Sequence, residues 1–195
     1  MPHIFKLIIT TLIGLGLGLG ATYHAVERGQ AGLIFGGAKA GPWTSWPKTG
    51  TREADPYARA LFARNGETPL GHTEGLSFLA RTDSDARPLD PACNYIVKGA
   101  VPAARFWTLS ALSPQGRQLP AVSERHGFTS SEILRDMSGA FEIRVAASAQ
   151  PGNWLEVAPG QPFLLMLRLY DTALSANPFS VTASVMPAIA REGCL

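Results

Sequence analysis

The alternation of hydrophobic and polar positions changes character three times along the chain. Between Lys6 and Glu27 no residue carries a full charge, and the run LIITTLIGLGLGLGATYHAV spans 20 residues. As a helix that is enough to cross roughly 30 Å of hydrocarbon. Tyr23 and His24 fall where an interfacial belt would sit. The pattern then loosens into a glycine-rich stretch from Gly29 to Gly50, ending GPWTSWPKTG, which reads as a linker. Within it Trp43 and Trp46 either rest on a membrane surface or cap a core, the core being the commoner place. At Asp55-Pro56-Tyr57 a helix start appears, an N-cap followed by proline at the first helical position. Tyr57/Leu61 and Ala58/Phe62 recur at i, i+4, and Asn65-Gly66 supplies a stop, so one helix is predicted from Asp55 to Asn65.

Beyond that helix the period becomes two. Strands are predicted at Gly75–Thr82, Cys93–Gly99, Arg105–Ala111, Glu132–Asp136, Ala140–Ala146 and Pro162–Tyr170, with Ser180–Val185 as a further candidate. Turn chemistry separates them: Asp83-Ser84-Asp85, Ser113-Pro114-Gln115-Gly116, Met137-Ser138-Gly139 and Ala158-Pro159-Gly160. In Pro162–Tyr170 both faces are largely apolar, which places that strand centrally in a sheet. Short strands at this spacing predict a mainly β fold, an antiparallel sandwich or barrel with one short helix, preceded by a transmembrane helix. The expected organisation is an anchor over residues 1–28, a linker over 29–50 and a β-rich extracytoplasmic domain over 51–195.

Charge sets the expected topology. The short leading end carries Lys6 and the α-amino group, and the positive-inside rule keeps that end in the cytoplasm. The rest of the chain is then periplasmic, held to the inner membrane by a single pass. A cleaved signal peptide is the alternative, with Lys6 as its basic end and Gly18-Leu19-Gly20 near the cut, although such apolar regions usually run only about 7–15 residues. Both readings place the domain in the same compartment. Gly14/Gly18 and Gly16/Gly20 form two interleaved GxxxG pairs, a spacing that would let a second copy pack closely in lipid. Taking Lys6, Arg28 and Glu27 from the 17 basic and 15 acidic residues leaves 15 and 14, with no basic run, so no nucleic-acid partner is expected.

Cys93 and Cys194 are too far apart for a CxxC redox pair or a zinc ribbon. In an oxidising compartment an even count suggests one bridge. It would close a loop of about 100 residues, contribute about 4–5 kcal/mol and pin a C-terminus that would otherwise fray.

Motifs that carry chemistry are sparse. There is no GxSxG nucleophile elbow and no HExxH. His3, His24, His72 and His126 are scattered, and neither a metal nor a cofactor is expected. Asp83, Asp85 and Asp90 lack the spacing of a calcium loop and read as a turn. Arg105, Trp107, Arg144, Arg168 and Tyr170 all fall on predicted strands, and arginine beside Trp or Tyr suits a carboxylate or a sugar. From this set Arg105, Trp107, Arg168 and Tyr170 are the candidate ligand-binding residues. The competing expectation puts Trp107 in the core and pairs the arginines with Glu142 and Asp171. For catalysis only Glu74, Glu142 and Asp171 are carboxylates worth testing.

Several segments together resemble the domain of unknown function 1214 family: Ala54-Asp55-Pro56-Tyr57-Ala58-Arg59-Ala60, Cys93-Asn94-Tyr95 with Gly99, Ala104-Arg105-Phe106-Trp107-Thr108-Leu109, Asn153-Trp154-Leu155 and Leu167-Arg168-Leu169-Tyr170-Asp171. The likeness runs from about Trp43 to Cys194 and is nearest the short, membrane-anchored α-proteobacterial members. It implies a jelly-roll-like β-domain with no established activity and no catalytic residues to carry over. Many longer relatives place this domain after another, the domain of unknown function 1254, which is not recognisable here. The usual family ending is also altered: Met186-Pro187 and Arg191 remain, without a tryptophan near them. The function expected is that of a non-enzymatic envelope protein acting through interactions. The alternatives are a binding module for a small anionic or sugar ligand and, behind it, an enzyme acting on envelope polysaccharide or lipid.

Overall fold

The computed structural model describes residues 2–27, 36–65, 69–71 and 73–194. The first helix, α1, runs unbroken over Pro2–Glu27. Its segment His3–His24 is long and apolar enough to cross a membrane and none of it is buried against the rest of the chain. Thr10 and Thr11 return their hydroxyls to the carbonyls of Lys6 and Leu7, which leaves few polar groups unsatisfied in an apolar surrounding. A Cβ added at Gly14, Gly16, Gly18 or Gly20 would meet nothing within 4 Å among the described residues. The second helix, α2, is Pro56–Asn65. Asp55 caps it, its carboxylate accepting from the Ala58 N–H at 3.4 Å. Gly66 of the expected helix stop, His72, residue 28 of the expected anchor and residues 29–35 of the expected linker lie outside the described residues.

Among the described residues ten strands build two sheets. They are β1 (Ala38–Ala40), β2 (Trp43–Ser45), β3 (Gly75–Ala80), β4 (Cys93–Gly99), β5 (Ala104–Leu112), β6 (Gly127–Thr129), β7 (Phe141–Ala146), β8 (Asn153–Glu156), β9 (Leu164–Thr172) and β10 (Ala188–Cys194). One sheet has the order β1-β2-β3-β9-β5-β6 and the other β10-β4-β7-β8. All neighbours are antiparallel except the parallel pair β7 and β8. The fold is thus mainly β, and the inner faces of both sheets share one core. A jelly roll has eight antiparallel strands; this sandwich has ten, one pair of them parallel.

Alternation explains the packing. In β4, Cys93, Tyr95 and Val97 are buried while Lys98 is exposed; in β7, Phe141, Ile143 and Val145 are buried around exposed Glu142. β9 lies between β3 and β5 and is apolar on both faces, as its sequence predicts. Leu165, Leu167 and Leu169 enter the shared core, and Leu164 and Met166 join Leu79 in a second cluster on the outer face. Trp46 packs on that cluster and meets Phe62 of α2 edge-on, with ring centroids 6.3 Å apart.

Three expectations are corrected. Residues 36–50, expected in the linker, carry β1 and β2, and Trp43 is fully buried with its Nε1–H donating to the Pro187 carbonyl at 2.7 Å. Glu132–Asp136 forms only a single bridge, Arg135 with Phe141. Instead of a neighbouring strand, Leu134 finds the Asn153 side chain, which accepts from its N–H and donates to its carbonyl, both at 2.9 Å. Ser180–Val185 is not a strand; 3-10 turns occupy Pro178–Ser180 and Ala183–Val185, and Val181 alone of that stretch is buried.

Cys93 and Cys194 are joined in a disulfide across a separation of 101 residues, at the paired ends of β4 and β10. The bridge ties down the last strand, and so does Arg191, which meets buried Asp83 at 3.2 Å and lies over the Tyr95 ring at 5.3 Å.

Candidate functional site

The four residues expected to bind ligand separate. Trp107 points inward, 3% exposed, its ring 5.0 Å from that of Phe141. It is a core residue. Arg105 stands at an exposed end of β5 and pairs with Asp171 at 3.4 Å. Arg168 and Tyr170 share the outer face of the six-stranded sheet, where Tyr170 packs against Phe106 at 5.8 Å between centroids. The competing expectation therefore describes Trp107 and Arg105, and also Arg144, which bonds Glu142 at 2.8 Å and meets Glu192 at 3.3 Å. The carboxylates Glu74 and Asp171 sit across from each other at one end of the β3–β9 pair, while Glu142 belongs to the other sheet. Among the described residues no three His, Cys, Asp or Glu side chains are grouped to hold a metal ion.

Arg168 is the residue whose surroundings stand apart. Three described arginines are half-buried: Arg144, Arg168 and Arg191. The first and last meet carboxylates within 4 Å. For Arg168 no acidic partner and no hydrogen bond exists among the described residues. A partly dehydrated guanidinium without a counter-charge is costly unless something supplies one.

The sheet register sets what lies beside it. Across β9 and β5, Arg168 faces Thr108; across β5 and β6, Thr108 faces Thr129. One step along, Met166 faces Ser110, and Ser110 faces Gly127. These residues border an open cleft of about 460 Å³, whose polar lining also includes Gln118 and His126. That volume falls within the roughly 300–1,000 Å³ usual for small-ligand sites. Among the described residues no acidic side chain lines it. Met166 and Leu112 give it an apolar floor. Thr108 and Ser110 make no side-chain hydrogen bond with described residues, so their hydroxyls are available. Gly127 keeps Ser110 open: a Cβ there would fall 2.8 Å from the Ser110 hydroxyl and 2.7 Å from the Leu109 carbonyl. His126 is oriented by a 3.0 Å contact between Nδ1 and the Leu119 carbonyl.

Glu156, on β8, holds the loop that leads to His126. Its carboxylate accepts from the N–H groups of Val122 at 3.0 Å and Ser123 at 2.7 Å. The Ser123 hydroxyl and N–H, with the Val122 N–H and nearby His126, hold the Glu156 carboxyl below its usual value against the effect of burial.

A larger groove of about 1010 Å³ crosses the four-stranded sheet beside Lys98, Arg135, Asp136, Glu142 and Arg144. Its charges are mostly spent. Arg144 is shared between Glu142 and Glu192, and Arg135 donates to the Gly139 carbonyl at 2.9 Å. Asp136 accepts from Ser138 and Ala140. The smaller cleft has the unfilled bonding capacity.

The family model described as "Protein of unknown function (DUF1214)" matches residues 74–174, from the lead-in to β3 to the turn after β9. The chain belongs to the DUF1214 family. Its recurring segments now have structural places. The FWTL piece of β5 and the LRLY piece of β9 form adjacent strands, alternating core residues with the outer face that holds Arg168. In the NWL piece, Asn153 clamps Leu134, and Trp154 donates from Nε1 to the Ala146 carbonyl at 3.0 Å. Arg191, which survives in the altered ending, closes the buried pair with Asp83.

Two solved structures resemble this DUF1214 chain. One is the VPA0106 protein from Vibrio parahaemolyticus, at 19% identity and a TM-score of 0.59, covering 93% of this chain and 44% of that one. The other is an uncharacterised protein from Burkholderia cenocepacia, at 14% identity and a TM-score of 0.44, covering 95% and 52%. The chain thus spans about half the length of either. The first likeness supports the fold. No functionally curated protein matches the chain.

Sequence reasoning singled out Arg168 and Tyr170 but missed Thr108, Ser110, Gln118 and Glu156. The hydroxyls left a trace in the alternation of β5, where Thr108 and Ser110 mark one face. Glu156 left none, because its donors arrive from a loop more than 30 residues earlier.

Proposed function

We propose that this DUF1214 protein is a non-enzymatic, membrane-anchored envelope protein whose β-sandwich acts outside the inner membrane as a binding module for a small anionic ligand. α1 is the anchor, crossing once with Lys6 on the cytoplasmic side. The domain begins at β1 rather than at residue 51 and extends to the chain's last strand. Two features support the location. The span His3–His24 is apolar and wholly exposed, and the cysteines are paired rather than free, a state that persists in oxidising compartments. A signal peptide in place of an anchor would leave the same domain in the same compartment.

The observation that carries the binding role is the half-buried Arg168 guanidinium, which has no acidic partner among the described residues and stands beside a cleft where those residues supply hydroxyls and no carboxylate. Such a group is completed by an anion. The test is calorimetric titration of the full chain in detergent micelles with acetate and with phosphate. Saturable binding that Arg168→Gln weakens by about tenfold or more supports the reading. Binding that is absent, or indifferent to Arg168→Gln, contradicts it. The location is tested by fusing a reporter that folds only in an oxidising compartment after Leu195: activity is expected, and silence together with an active cytosolic reporter contradicts it.

A further inference from the structure

We infer that the ligand of the Arg168 cleft is a sugar acid, a compact polyhydroxylated ring bearing a single carboxylate. The inference rests on the anion-binding reading above and narrows it. Charge count comes first. Among the described residues Arg168 is the one guanidinium lining the cleft, no lysine lines it, and the other titratable side chain there is the single imidazole of His126. Multiply charged phosphates are usually held by several cations or by a helix N-terminus. A single fork-shaped guanidinium matches a single carboxylate.

The remainder of the lining asks for hydroxyls. Thr108 and Thr129 continue in a row from Arg168 across two strand spacings, and Ser110 and Gln118 border the same space. At roughly 4.8 Å per strand the row extends about 10 Å from β9 to β6. A carboxylate on Arg168 would place ring hydroxyls over Thr108 and Ser110. A plain fatty acid has nothing to offer those groups and would leave them dry and unbonded. A neutral sugar would satisfy them but leave Arg168 without a counter-charge. Met166 and Leu112 form the apolar floor on which the less polar face of a pyranose can lie.

Calorimetry on the full chain in micelles tests this with D-glucuronate, D-galacturonate, D-galactose and acetate, plus tri-galacturonate to separate a free sugar acid from one borne on a polymer. At least one uronate is expected to bind about tenfold or more tighter than acetate, with no detectable heat from galactose. Arg168→Gln should weaken the uronate by about tenfold or more, and Thr108→Val by about threefold to tenfold, a larger loss than the same variant causes for acetate. Ser110→Ala is the second variant should Arg168→Gln fail to fold, and its expected loss is the same as for Thr108→Val. Binding of the trimer at least as tight as the monomer assigns the polymer as source; binding of the monomer alone assigns the free sugar acid. Acetate binding as tightly as either uronate overturns the sugar acid and leaves the anion reading standing. Galactose binding as tightly as the uronates also overturns it. Absence of binding by every anion overturns both.

Discussion

Asp83 is the residue on which the last strand most depends. It is 1% exposed. Its carboxylate accepts from the N–H groups of Asp85 at 3.0 Å and Arg87 at 2.9 Å, and meets the Arg87 and Arg191 guanidinium groups at 3.1 and 3.2 Å. The same turn is stitched to β10 by Ser84, whose N–H donates to the Ile189 carbonyl and whose hydroxyl accepts from the Ile189 N–H, each at 2.9 Å. Replacing Asp83 by alanine leaves two backbone donors without their acceptor and the Arg191 guanidinium, 18% exposed, without its counter-charge. Breaking a buried pair costs about 3–5 kcal/mol. Arg87 is 52% exposed and water can take over its share, so about 2–4 kcal/mol is expected. With a urea slope of roughly 2 kcal/mol per molar, the middle of the usual range, the unfolding midpoint should fall by about 1–2 M. The assay is tryptophan fluorescence of the full chain in micelles during urea unfolding. Acid dependence gives an independent check. Burial pushes the Asp83 carboxyl up, but the Arg87 and Asp85 N–H groups and both guanidiniums outweigh it and hold it below the ordinary value. The unfolded chain therefore takes up this proton at a higher pH than the native one. The stabilisation is full above the unfolded value near 4 and is lost as pH falls through the native value. Asp83→Asn should flatten that acid limb. A midpoint change under about 0.3 M, or an unchanged acid limb, would refute the role assigned to Asp83.

Gly75→Ala should disrupt the β3–β9 pairing, because its Cβ would fall 2.0 Å from the Leu169 carbonyl; a loss of about 2–4 kcal/mol in the same urea assay is expected, and a neutral result contradicts the packing. Asn153→Ala removes three hydrogen bonds, two to Leu134 and one to the Glu142 carbonyl. It should cost about 2–3 kcal/mol and speed hydrogen exchange at the Leu134 amide, which would otherwise stay protected. Cys194→Ser opens a loop closed over a separation of 101 residues. It should cost about 4–5 kcal/mol by chain entropy and loosen the amides of β10 before those of β9, whereas simultaneous loosening would argue against a locally tied strand.

Long alternating segments were legible in the sequence, and short or borrowed ones were not. β4 matches its predicted bounds and β5, β7 and β9 nearly do, because each alternates or runs apolar over six residues or more. β1, β2 and β6 have three residues each, too few to display a period. β10 reads Ala-Ile-Ala-Arg-Glu-Gly-Cys and buries only Ile189, so its place comes from long-range ties to Asp83, Ser84 and Cys93. The expected strand at Glu132–Asp136 fails because an asparagine side chain, 19 residues later, does the bonding that a strand would do. Of the candidate site, Arg168 and Tyr170 were visible by residue type, while Trp107 and Arg105 were drawn in by the same chemistry and belong to the core and to an ion pair. Parity along β5 separates Trp107 from Thr108, but only the pairing of β5 with β9 and β6 says which face gathers the cleft.

The binding role is tested most directly by magnetic resonance on the full chain in micelles, following the Arg168 Nε–H and the amides of Thr108, Ser110 and Gln118 during titration with acetate. The account predicts saturable shifts concentrated on those groups, with the resonances of Lys98 and Arg144 in the opposite groove unmoved. Shifts centred on Lys98 and Arg144, or none at Arg168 at saturating acetate, would contradict it.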